Sequence, residues 1–235
     1  MVQSHPRAAV RGSTFVRLLA RMGEVDAGQP SGSLPDRLSQ WLSWTQSIAL
    51  SSALDGAGVP PAEPAPGEAP SEALLAGARA ALVEAITDEQ GWARARSLAA
   101  SRAGASEGDP AVRVAYSALR ERYLMMQRSI QGTTGKLRGE LRDHLAAASP
   151  ELARLAEVDA VLEGALSPRE QRLLGGVPAL LEKRFEKAKA AAAASPEPSG
   201  IWLDIFLREM QDVLLAELDV RFQPLEGLIA ALHSS

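Results

Sequence analysis

The apolar positions of this chain recur at helical spacing, and runs of alternating β-branched residues are absent. That period of 3.6 places them on helix faces and predicts no sheet. Phe15, Leu18, Leu19 and Met22 fall at i, i+3, i+4 and i+7, with Ser13 as a cap before them and Gly23 as a stop. A second helix is predicted from Ser33-Leu34-Pro35, with Leu34, Leu38, Trp41, Leu42, Thr45, Ile48 and Ala49 on its buried face. Trp41 and Trp44 lie on one side of it and read as core anchors. Helix resumes at Ser71, and Leu74, Leu75, Ala78, Leu82 and Ile86 keep the period. Thr87 or Asp88 caps a further helix through Trp92. Asp109-Pro110 signals the next start. From there Val112, Ala115, Tyr116, Leu119, Tyr123, Met126 and Ile130 line one face. Ser149-Pro150 and Ser167-Pro168 read as two more cap-plus-proline starts.

The most apolar stretch runs from Ile201 to His233. Its polar residues Asp204, Arg208, Gln211, Asp212 and Asp219 gather on one narrow side. A helix apolar over more than half its circumference packs on several sides. Pro224 predicts a break or kink near Phe222, with Leu225, Leu228, Ile229 and Leu232 on a short separate tail helix.

Gly and Pro punctuate the rest. Residues 26–32 and 104–108 read as loops. Residues 56–70 hold five Pro and three Gly, which no helix tolerates. The expected organisation is an N-terminal helical hairpin at 1–55, a Pro/Gly/Ala-rich linker at 56–70 and a main bundle at 71–235. The fold class is all-α, a bundle of seven to nine helices.

Composition narrows the functional classes. The chain has 235 residues, 46% hydrophobic but 4% aromatic, so the core is built mainly from Leu, Ala and Val. With no Cys, disulfides, thiolate metal sites and cysteine nucleophiles are excluded. No run of 18 apolar residues is present, so no membrane-spanning helix is expected. No secretory signal pattern precedes the first helix, and a cytoplasmic location is expected. His5, His144 and His233 have no carboxylate or second His at metal spacing, so no metal is expected. No cofactor motif is present. Gly132-Thr133-Thr134-Gly135-Lys136 has two residues between its glycines, where a phosphate-binding loop needs four and a Ser or Thr after the Lys.

The net charge of −4 is unevenly spread. Residues 1–23 carry four Arg and no acid, and residues 92–142 carry ten basic and four acidic residues. Residues 143–235 carry nine basic and fifteen acidic residues. Arg113, Arg120, Arg122 and Arg128 define a candidate basic face for an acidic partner such as nucleic acid. Tyr116 and Tyr123, however, fall on the apolar side of that helix, away from such a face.

Glu217 and Arg221 form the more informative pair. Both fall inside the apolar arc of the last helix, at i, i+4 in the favourable acid-first order. They are a candidate buried ion pair, or a candidate interface pair that fixes register. No nucleophile or second carboxylate can be placed beside them from sequence, and no enzyme is expected.

Two resemblances bear on function. Leu166-Ser167-Pro168-Arg169-Glu170 resembles the opening of the DNA-binding module of LuxR-type regulators, but only over five residues, and no basic recognition helix follows. Four longer stretches resemble an uncharacterised proteobacterial family, a domain of unknown function: 12–20, 38–44, 168–174, and 214–219 through 223–228. That resemblance spans nearly the whole chain. It implies genes near those of MotA/TolQ/ExbB-like and OmpA-like envelope proteins, and hence a cytoplasmic accessory of a proton-channel-like envelope complex. It implies no activity and no site residues. The expected function is a non-catalytic scaffold or adaptor binding another helical protein or itself. The alternative is a nucleic-acid-binding or regulatory protein using the basic 92–142 segment. A third reading is a helical protein with an apolar small-molecule pocket near Trp202.

Overall fold

The computed structural model describes residues 14–23, 34–55, 71–102, 115–195 and 200–234. Ser13, the loops at 26–32 and 104–108, the linker at 56–70, the Asp109-Pro110 start, Val112, Arg113 and His5 lie outside them. So do the side chains of Leu34, Pro35 and Leu38.

Among the described residues there are nine helices and no strand. They are α1 (Thr14–Gly23), α2 (Leu34–Trp41), α3 (Trp44–Asp55), α4 (Glu72–Thr87), α5 (Glu89–Arg102), α6 (Tyr116–Ala148), α7 (Pro150–Gly175), α8 (Val177–Ala193) and α9 (Ile201–His233). The chain is an all-α bundle.

Two long helices, α6 and α9, organise the packing. Tyr116 meets Phe206, and eleven residues further along both helices Gln127 meets Glu217. The two helices therefore run parallel. α7 returns antiparallel to α6, because Arg138 pairs with Asp159 and Gln127 with the carbonyl of Leu174. α4 crosses the other side of the pair, tied by Arg79 to Asp219 and Glu226. α1 packs on α8 and α9, whereas α3 packs on α7.

Burial divides into two clusters stacked along α6 and α9. The larger joins Phe15, Ile86, Trp92, Tyr123, Ile130, Phe185, Phe206, Met210, Leu214 and Phe222. Tyr116, Phe185, Phe206 and Trp202 form an aromatic knot within or against it, with ring centroids 5.3–6.4 Å apart. Such tilted and edge-on contacts suit the ring quadrupoles. The smaller cluster joins Leu75, Leu137, Leu141, Leu145, Leu152, Ala156, Leu225, Leu228 and Ile229. The two meet between Ile130 and Leu137 on α6 and between Phe222 and Leu225 on α9.

Four sequence expectations are corrected. Pro224 does not end a helix; α9 continues through it to His233. Leu225, Leu228 and Ile229 are buried in the second cluster, and that packing outweighs one missing hydrogen bond. Likewise Ser167-Pro168 lies inside α7 rather than starting a helix. The break comes later, at Gly176, whose amide donates back to the carbonyls of Leu173 and Leu174. The second helix is two helices, α2 and α3, divided at Leu42-Ser43. Ser43 and Gln46 form a reciprocal capping box, amide to side chain in both directions at 2.8 and 3.3 Å. The wheel drawn from Leu34 loses phase at that break. Trp44 and Ile48 are consequently turned out, at 82% and 51% exposure, and are no part of the core. Ala53 is the buried residue of α3.

The Gly132–Gly135 stretch is absorbed into α6 without interruption. Asp88 caps α5, accepting from the amides of Gln90 and Gly91 at 3.1 and 3.0 Å. The Gly91 amide is the main cause holding the Asp88 carboxyl below its usual range.

Candidate functional site

Polar groups are buried inside the larger hydrophobic cluster, near its border with the smaller one. Glu217, 1% exposed, lies between Leu214 and Phe222 of that cluster on α9. Its carboxylate accepts from Gln127 Nε2 at 3.0 Å and from Arg221 Nε at 3.0 Å. Gln127 also donates to the Leu174 carbonyl at 3.2 Å, adding a side-chain donor to the last turn of α7. Arg221 reaches outward as well, its Nη1 lying 2.9 Å from Glu170 Oε1. The helical spacing places Glu217 and Arg221 in contact, and the tertiary fold adds Gln127 from α6 and Glu170 from α7.

Desolvation governs this centre. Burial pushes the Glu217 carboxyl above its ordinary value of 4.5, while Gln127 and Arg221 oppose that rise. The Tyr123 hydroxyl is buried without a partner in hydrogen-bond geometry. Burial first, and then the Glu217 carboxylate, raises its pKa far beyond the usual phenol range.

About three turns further along α6, a second ionic cluster follows. Arg138 grips Asp159 with two parallel bonds, 2.9 and 2.6 Å long. Arg142 bridges Asp159 and Glu163. Bidentate pairing of this kind suits a part-buried carboxylate.

A cavity of about 340 Å³ opens beside both clusters. α6 lines it with Gln131, Thr134, Gly135 and Arg138, and α7 with Glu163, Ser167, Glu170 and Gln171. α9 adds Val220, Arg221, Pro224 and Leu225. Pro224 has no amide hydrogen to give the Val220 carbonyl one turn back. The cavity therefore lies at the waist between the two hydrophobic clusters. Its walls mix charged and polar groups with the apolar Val220, Pro224 and Leu225, and Trp202 is not among them. Trp202 instead packs on Phe185, with ring centroids 5.5 Å apart.

The described arginines of the candidate basic face do not stand together. Arg113 is outside the described residues. Arg120 and Arg128 are exposed on α6, about two turns apart. Arg122 points inward, a correction to its assignment to the basic face. It donates to the Ala85 carbonyl at 3.0 Å, pairs with Asp88 at 3.2 Å and lies over the Trp92 ring. Gly91 lets it approach, because a Cβ there would collide with the Arg122 guanidinium and the Asp88 carboxylate. Its side chain is 14% exposed, and it joins α4, α5 and α6.

A different surface feature is the outer face of α3. Trp44, Ile48 and Leu54 are more than half exposed, and Asp55 is the helix's only ionic residue. Just before α3, the Trp41 ring carries the Arg169 guanidinium of α7 at 4.7 Å. Leu173, one turn beyond Arg169, is 66% exposed.

Among the described residues no group of three His, Asp or Glu side chains could hold a metal ion, and no helix is long and apolar enough to cross a membrane. No curated protein and no solved structure matches the chain. The model of one family, described as a protein of unknown function (DUF3348), matches residues 1–234. The chain belongs to that family.

Proposed function

We propose that the protein is a non-catalytic helical adaptor that acts through protein–protein contacts. The observation that carries this reading is the outward face of α3, where Trp44 is 82% and Ile48 51% exposed at i, i+4. A Trp so exposed is uncommon on a surface that stays in water, and Trp is enriched where protein surfaces meet. The occupant is the apolar face of a partner helix. With Asp55 the only charge on α3, ionic recognition of nucleic acid has no footing there.

The finer reading is a cytoplasmic accessory of a proton-channel-like envelope complex. It rests on the resemblance of the four sequence stretches alone. In that setting the partner helix belongs to a component of the complex.

The test uses the full chain immobilised beside its Trp44→Ser, Ile48→Ser double variant. Both should give the same helical circular dichroism and unfolding midpoint, because these side chains stand in solvent. The parent should retain a partner from envelope and cytosolic fractions that the variant loses. Identical retention by both would refute the α3 face as the binding surface. Light scattering on the same two samples reads whether the partner is a second copy.

A further inference from the structure

We propose that the waist cavity binds a small dipolar molecule bearing one carboxylate and one ammonium group, an α-amino acid in size and chemistry. The ligand seats by inserting into the Arg221–Glu170 pair. This site is separate from the α3 face and stands independently of the adaptor reading.

The argument starts from charge. The cavity lining holds two guanidinium groups, Arg138 and Arg221, and two carboxylates, Glu163 and Glu170. The lining is electrically balanced. A ligand with a single charge would leave one of these groups unpaired in a part-desolvated site, which is costly. A ligand with one charge of each sign exchanges one ion pair for two and strands nothing.

Mobility selects the pair that opens. Arg221 is 10% exposed and pinned from behind by the buried Glu217 at 3.0 Å. Glu170 is 42% exposed and can swing aside. A ligand carboxylate then takes the place of Glu170 on the fixed guanidinium, in the bidentate manner that arginine favours. The released Glu170, on the same α7 wall as Glu163 about two turns before it, receives the ammonium. Arg138 is less available, since Asp159 already holds it with two bonds.

Size and shape agree. About 340 Å³ lies at the lower end of small-molecule clefts. Val220 and Leu225 offer an apolar wall for a side chain. The α6 side is open at Gly135, where an added Cβ would meet nothing within 4 Å. The buried Glu217–Gln127 support of Arg221 also finds a reason here. Buried charge adds little to stability, but it holds a binding guanidinium in one posture.

The experiment applies each of the twenty common L-amino acids to the full chain, by thermal shift and titration calorimetry. Propionate and propylamine serve as single-charge controls. At least one amino acid should raise the unfolding midpoint and bind one per chain, and neither control should. Gly135→Met fills the cavity from α6 and should abolish binding, while the unligated variant is as stable as the parent or more so. Glu170→Gln should weaken binding about tenfold, a loss of ~1.4 kcal/mol, through loss of the ammonium's partner. No response to any amino acid would overturn the proposal. So would propionate binding as tightly as the best amino acid, or binding that survives Gly135→Met. Should Gly135→Met fail to fold, Glu170→Gln decides alone, since its side chain lies on the solvent side of the pair. Unchanged affinity in that variant counts against the site.

Discussion

Glu217 is the residue whose environment departs furthest from its intrinsic preference. Its pKa is raised in the folded state above 4.5, first by desolvation. The native state therefore binds the proton more tightly than the unfolded chain. Stability from this group is greatest in acid and declines as pH rises through and above 4.5. Glu217→Gln removes that titration but keeps an acceptor for Gln127 and Arg221. Urea unfolding should show the variant gaining on the parent as pH increases from 4 to 8, and a constant difference would refute the assignment. Glu217→Leu is expected to cost ~1–3 kcal/mol, because it strands the buried Gln127 amide. The i, i+4 spacing of Glu217 and Arg221 inside an apolar arc was legible in the sequence. Their other partners, Gln127 and Glu170, stand 90 and 51 residues away in the chain, and no local pattern links them to Glu217 or Arg221.

Helix boundaries obey local rules wherever a side chain can meet a backbone orphan. Ser149 accepts from the Leu152 amide at 3.2 Å, with Pro150 at the first position of α7. Ser149→Ala should cost about 1 kcal/mol, measured as a shift of the urea midpoint. Ser167-Pro168 has the same local chemistry but starts nothing. It lies between Ala165 and Leu174, both buried on a helix that α6 holds along its length. Pro224 is the parallel case in α9. Proline in a helix interior costs up to about 3 kcal/mol relative to alanine, and here packing has overridden that cost. Pro224→Ala restores a donor to the Val220 carbonyl and should raise stability by ~1–3 kcal/mol. A lowered midpoint would mean that a proline-induced bend is needed for the second cluster to pack. The break at Leu42-Ser43 was readable in principle, since Ser-x-x-Gln is a capping-box signature. The continuous spacing of Leu34, Leu38, Trp41 and Leu42 hid it.

At the scale of the molecule, two apolar clusters share the parallel helices α6 and α9. Neither cluster can lose its packing without exposing part of both helices. Far-ultraviolet dichroism and tryptophan fluorescence should therefore report one coincident unfolding transition. Phe206, 1% exposed at the centre of the aromatic knot, should cost about 3–5 kcal/mol when cut to Ala. Trp44→Ser should change stability by no more than about 0.5 kcal/mol, because its ring is 82% exposed. The contrast separates a residue that holds the fold from one that faces outward. The waist cavity also belongs to this scale, since three helices supply its walls and none of them contains it.

The sequence by itself determined the helical class, most of the buried faces and the contact between Glu217 and Arg221. Those features depend on spacing within one helix, and 3.6-residue periodicity reports them directly. Tertiary structure decided where helices continue through proline, which way Trp44 and Arg122 point, and what surrounds Arg221. Each of those outcomes is a competition between a local preference of about 1–3 kcal/mol and burial against another element. Local sequence states the first quantity. The second exists only once α6, α7 and α9 are side by side, with their polar residues facing one another at the waist.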